Sequence, residues 1–207
     1  GKNAIAFMNA AGYDAATVGN HEFDWGVDNL LQNLEGAQFK VLAANITRTA
    51  DGTTVLDASC TFDTVIGKVG VFGLATPETM TKAHPDKVKG ITISMEKELY
   101  LDAQAQVDEL KAAGCDYIIC LSHLGIDNES EPNRSVDLLA NVTGIDLLID
   151  GHSHSQLQTK EGDTVLVSTG NYFENIGYVV VTKGEEAFAT ETGLYSVAAE
   201  NQAAFLV

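Results

Sequence analysis

The apolar positions of this chain fall into two rhythms. Up to about residue 150, short continuous apolar runs alternate with stretches in which apolar residues recur every three or four positions. Residues 2–12 carry Ile5, Met8 and Ala11 on one face and stop at Gly12, which predicts a helix. Ala15–Val18 reads as a short buried strand. Val27–Leu34 predicts an amphipathic helix with Leu30, Leu31 and Leu34 inward, ended by Gly36. Phe39–Ile46 reads as a strand, with Asn45 a turn residue bonding its own backbone at the polar end. Phe62–Ile66 and Val69–Leu74 flank Gly67-Lys68 as a hairpin, and Thr76-Pro77 closes it. Residues 78–95 are polar and irregular. Met95–Ala113 is the longest helical pattern, with Leu99, Ala103, Val107 and Leu110 on one face and Gly114 as C-cap. A strand at Asp116–Leu121, a helix from Pro132 to about Asn141 and a strand at Ile145–Ile149 follow.

Beyond residue 150 the helical period disappears. Leu157–Lys160, Thr164–Ser168, Ile176–Thr182 and Phe188–Leu194 read as successive strands of a β-meander, punctuated by Glu161-Gly162-Asp163 and Lys183-Gly184-Glu185. The pattern predicts an α/β fold: two packed sheets with helices outside, in one domain over residues 1–207, without repeats or linkers.

Three of the buried strands end in polar loops that carry histidine. Gly19-Asn20-His21-Glu22-Phe23-Asp24 follows the first, Ser122-His123-Leu124-Gly125 the second, and Asp150-Gly151-His152-Ser153-His154-Ser155 the third. Four of the five histidines lie in these loops. In an open α/β sheet, ligands sit outside the carboxyl ends of strands, so these loops would meet at one site. Imidazoles converging with a carboxamide suit Zn, Mn, Co, Fe or Ni. Asp24 is close enough in sequence to bond the His21 imidazole and fix its orientation.

Plainer readings stand beside these: Asp24 as a helix cap, and His123, His152 and His154 as hydrogen-bonded loop residues. Glu22 faces away or caps, and Phe23 and Trp25 pack the loop. Asp150 either orients a ligand histidine or ends its strand, and Asn171 approaches the site. His84 is a surface residue.

A formal charge of −17 argues against nucleic-acid polymers and anionic membranes as partners, since phosphate contacts need Lys and Arg. With Arg48 and Arg134 the only arginines, an anionic small substrate would be attracted by bound cations or by residues outside the chain. No apolar run approaches the ~18 residues that cross a bilayer. Cys60, Cys115 and Cys120 form neither a disulfide framework nor a zinc motif, and Cys120 reads as a buried hydrophobe.

The three histidine loops, in this order, resemble the calcineurin-like metallophosphoesterases. Met8-Asn9, Gly12-Tyr13-Asp14, Leu42-Ala43-Ala44-Asn45 and Gly73-Leu74-Ala75-Thr76-Pro77-Glu78-Thr79 extend the resemblance to the 5′-nucleotidase branch, over about residues 1–177. That branch also includes UDP-sugar hydrolases and 2′,3′-cyclic-nucleotide phosphodiesterases. The resemblance implies a four-layer α/β/β/α sandwich and hydrolysis of phosphate esters by two divalent ions. It implies Asn20, His123 and His152 as ligands of one ion and His154 of the other, with His21 as catalytic histidine and Asp24 as its orienting partner. The family's Asp-x-His and Gly-Asp motifs do not precede Gly19. The chain is therefore expected to be a truncated catalytic domain with its first strand missing and without the C-terminal nucleotide-binding domain.

Such a piece would hold at most one ion and be weakly active, or be a non-catalytic α/β module. It would present an open sheet edge to a complementing N-terminal segment or to a second copy. The implied substrate is a nucleotide or other phosphate ester, and the implied location is extracytoplasmic: periplasmic, cell-wall or secreted.

Overall fold

The computed structural model describes residues 1–185 and 187–197. Along the chain come α1 (Lys2–Ala11), β1 (Ala15–Thr17), α2 (Val27–Leu34), β2 (Lys40–Leu42), β3 (Ile46–Arg48), β4 (Ser59–Thr64) and β5 (Gly67–Leu74). Then follow α3 (Thr79–Lys82), β6 (Ile91–Ile93), α4 (Glu96–Ala112), β7 (Tyr117–Ser122), α5 (Ser135–Asn141) and β8 (Leu147–Ile149). The last strands are β9 (Gln156–Glu161), β10 (Thr164–Thr169), β11 (Asn175–Lys183) and β12 (Phe188–Ser196).

The frame is a six-stranded sheet in the order β4-β5-β7-β8-β10-β9. Its four central strands are parallel, and β4 and β9 run antiparallel along the edges. Side chains alternate across a strand, so the apolar runs supply both faces. Phe72, Leu74, Ile118, Cys120 and Leu148 face Leu99, Ala103, Val107 and Leu110 of α4 and Leu138 of α5, all at most 3% exposed. On the opposite face, Val69, Val71, Tyr117, Leu147 and Val167 meet Ala15 and Leu42 of the β1–β2 pair and Val179, Val181 and Phe188 of the β11–β12 ribbon. A third cluster, with Val18, Phe23, Leu30 and Ala43, packs Leu31 and Leu34 of α2 against Val41 on the far side of β1–β2. Helices, sheet, second strand layer and helix thus form the expected four layers. The last ten residues of the predicted domain lie outside the described residues.

Several elements differ from their prediction, most of them through a long-range contact. Phe39–Ile46 is two strands: β2 pairs parallel with β1, and β3 pairs antiparallel with β6. Asn45 pins the step between them. Its side chain donates to the Ala75 carbonyl at 2.8 Å and accepts the Ala75 N–H at 2.9 Å, instead of bonding its own backbone. The β4–β5 turn falls on Val65-Ile66, because Thr64 pairs with Gly67. Gly67 lies at φ +119°, where a Cβ would sit 2.2 Å from Asp116 Oδ2, and that carboxylate accepts the Lys68 N–H at 3.0 Å. The irregular stretch 78–95 contains α3 and β6. α5 begins at Ser135, after Pro132, because Arg134 caps it: the Asp137 carboxylate accepts both the Arg134 N–H and its guanidinium. The last four strands are not one meander. β10 joins β8 in parallel, while β11 and β12 separate as their own ribbon.

Candidate active site

β5, β7 and β8 are parallel or share parallel neighbours, so their carboxyl ends lie side by side, and β1 of the second layer ends at the same rim. Their following loops line one open cleft formed by Asn20, His21, Asp24, Lys82, Ala83, His123, His152 and His154. All six residues singled out from the sequence line it. Lys82, carried by α3, is an addition.

The inner wall is built on the sheet ends. The His123 and His152 rings stand 5.2 Å apart, tilted by 59°. His123 is clamped between glycines: a Cβ on Gly19 would lie 2.7 Å from its Nε2, and one on Gly151 3.0 Å from its Nδ1. Burial, then the nearby charges of His152, His154 and His21, push the His123 pKa down to about 4. Its imidazole is therefore neutral near pH 7, the form that binds metals. Asp150 turns its carboxylate inward, where Oδ1 accepts the Leu124 and Gly125 N–H groups at 3.2 Å each. Burial raises its pKa against the hydrogen bonds from Ser135, Gly125, Gly151 and Ser122. Asp150 thus shapes the His123 loop through its backbone, not through an imidazole. His152 and His154 both hold left-handed backbones, at φ +73° and +55°, a strain that concentrates at functional loops. His152 Nε2 lies 3.0 Å from Glu78 Oε2. Glu78 also takes Lys82 and the Ser130 hydroxyl. Burial opposes its charge, but the three donors outweigh burial and bring its pKa down to about 2.

The outer wall is a short local turn, Asn20–Phe23. The Gly19 N–H donates to Glu22 Oε2 at 2.7 Å, so Glu22 caps, and Phe23 is fully buried. His21 Nδ1 stands 3.0 Å from Asp24 Oδ2, with the two side chains 81% and 53% exposed. Trp25 does not pack the loop; it is 77% exposed, where Gly26 at φ +93° turns the chain into α2. Asn171 reaches within 3.5 Å of His154 Nδ1, and the Tyr172 ring lies 6.4 Å from the His154 ring. His84 sits outside the cleft, accepting the Asp86 N–H. Cys120 is a buried free thiol whose pKa burial raises.

Sequence reasoning missed Glu78, Lys82 and Ser130. The available signal was Thr76-Pro77-Glu78, which stands directly beyond the carboxyl end of β5.

Three imidazoles and one carboxamide are the donor types of borderline divalent metals, and the neutral His123 is ready to ligate. Among the described residues, no three His, Cys, Asp or Glu side chains group closely enough to hold an ion. The Asn20 carboxamide, from the outer wall, lines the same cleft as His123 and His152.

The chain is an α/β sandwich with histidine loops on one rim, and comparison with known proteins gives its class. Residues 3–156 match the family described as calcineurin-like phosphoesterase. The chain is 32% identical over 171 residues to the trifunctional nucleotide phosphoesterase protein YfkN of Bacillus subtilis, covering 76% of this chain and 11% of that protein. It is 33% identical over 180 residues to the 5'-nucleotidase of Bos taurus, covering 83% and 29%. The crystal structure of YfkN from Bacillus subtilis matches with a TM-score of 0.79 at 26% identity, over 95% of this chain and 67% of that one. This chain belongs to the calcineurin-like phosphoesterase family, hydrolases that use divalent metals. It spans less than a third of the length of these two curated relatives.

Proposed function

We propose that this chain is part of a 5′-nucleotidase-like phosphohydrolase acting on phosphate esters, nucleoside 5′-monophosphates foremost. The observation that carries the reading is the meeting of Asn20, His21, His123, His152 and His154, from three separate loops, in one cleft. Asn20, His123 and His152 would hold one ion, and His154 with further donors a second. Such ions supply charge against the phosphate dianion. With Nδ1 bonded to Asp24, His21 in its doubly protonated form would donate from Nε2 to the phosphoryl oxygens and pass that proton to the leaving oxygen. Asp24 keeps that imidazole in register. Glycines 19 and 151 leave room for the His123 ring and restrict its movement.

The exposed outer wall supports a second reading for the chain taken alone: a module that binds one ion and turns over little. Among the described residues β1 hydrogen-bonds in a ladder to β2 alone, and an apolar groove with Val69, Val71, Ile119 and Leu121 lies beside it. A further strand, from an N-terminal segment or a second copy, would fit there. The likeness to snake venom 5'-nucleotidases supports an extracytoplasmic setting. No helix among the described residues is long and apolar enough to cross a membrane.

Hydrolysis of p-nitrophenyl phosphate and of nucleoside monophosphates, with manganese or with a chelator, tests the reading. Slow, chelator-sensitive release of phosphate is expected, reduced about a hundredfold in His21→Ala. Chelator-insensitive hydrolysis, or His21→Ala turning over at the wild-type rate, would overturn it. Robust turnover by the wild-type chain would defeat the one-ion module.

A further inference from the structure

Glu78 holds none of the roles assigned so far. It follows Pro77 at the start of α3, and its side chain is only 13% exposed. Oε2 stands 3.0 Å from His152 Nε2 and also takes Lys82, while Oε1 accepts the Ser130 hydroxyl. Donors from α3 and from the turn at Asn128–Ser130 therefore hold both carboxylate oxygens in place. An ionised carboxylate only accepts, so the 3.0 Å contact puts a hydrogen on His152 Nε2. In a neutral imidazole that leaves the lone pair on Nδ1.

The ring has little freedom to do otherwise. A Cβ on Gly125 would lie 3.2 Å from His152 Cδ2 and 3.3 Å from its Cβ, so the Gly125 backbone flanks the ring edge opposite Nδ1. The left-handed backbone of His152 is a conformation that a non-glycine residue keeps only when its surroundings impose it.

We propose that Glu78 is a positioning residue: it selects the Nε2–H tautomer of His152 and thereby commits Nδ1 to a divalent cation. This rests on the reading of His152 as a metal ligand. It assigns the stretch after β5 a part in the site, although Glu78 and His152 lie 74 positions apart.

Histidine side-chain 15N–1H spectra of the metal-free 207-residue chain at pH 7.5 test the first half, with His152→Ala to assign the signal. The spectrum should show His152 as the Nε2–H tautomer. That tautomer should become a mixture in Glu78→Ala and persist in Glu78→Gln, whose amide oxygen can accept the same bond. Calorimetric titration with Zn2+ tests the second half. Affinity should fall about 10–100-fold in Glu78→Ala and by less in Glu78→Gln. A thermal melt checks that each variant folds; should Glu78→Ala not fold, the wild-type tautomer and the Glu78→Gln affinity still decide. An Nδ1–H or doubly protonated His152 in the wild type would overturn the proposal, as would wild-type tautomer and affinity in Glu78→Ala. Failure of the ligand reading has a different signature: His152→Ala would bind Zn2+ as tightly as wild type. That result would remove the claim on the cation and leave the tautomer selection standing.

Discussion

His123 and His21 stand in the same cleft, yet one is clamped between two glycines at the end of a buried strand and the other lies 81% exposed on a four-residue turn. The inner wall is a product of tertiary structure: β7 and β8 deliver His123 and His152, Asp150 ties down the first loop, and Glu78 reaches the second from α3. The outer wall is local, because Asn20, His21 and Asp24 need only their own turn to meet. The ion binding proposed for His123 and His152 would benefit from rigidity, since preorganised ligands lose less freedom on binding. The proton donation proposed for His21 would tolerate an open position until the substrate itself covers it.

Core deletion should show the contrast most strongly. Leu124 is fully buried beside His123, so Leu124→Ala is expected to cost about 3–4 kcal/mol in urea unfolding. His21→Ala should stay within about 0.5 kcal/mol of wild type. Equal losses would erase the distinction between the walls.

Acid comes next. His123 has a folded pKa of about 4 against 6.5 for the free side chain. Between those values the unfolded chain binds the extra proton, so the contribution is complete above pH 6.5 and is lost as pH falls toward 4. The metal-free chain should lose about 2–3 kcal/mol from this group across that window. His123→Ala should flatten the slope; an unchanged slope would place its origin elsewhere.

Gly19→Ala probes the clamp itself. The added Cβ would press on His123 Nε2 from 2.7 Å, at an expected cost of about 1–2 kcal/mol and with weaker manganese binding. Smallest of all is Asp24→Asn, whose exposed partner contact should change stability by under about 0.5 kcal/mol, measured by the same unfolding curves.

The same division explains what the sequence reveals. In α4 the residues at 99, 103, 107 and 110 recur at helical spacing, and all four are buried. His21 and Asp24, three positions apart, read as a pair because the turn between them is short. The strand-end histidines read as one cleft because parallel strands align their carboxyl ends. Contacts that span the chain leave no local trace. Asp116 shifts the β4–β5 turn by two residues from afar. Asn45 splits a strand through Ala75, and β6 exists because β3 pairs with it. Glu78 lay in a stretch without period, and its importance comes from His152, which only the fold brings near.

Metal content after equilibrium dialysis against manganese tests the central claim most directly: side chains from separate loops grip one cation. The wild-type chain should retain one ion, and the Asn20→Ala/His123→Ala double variant, still folded, should retain none. The same metal content in both proteins would contradict the account.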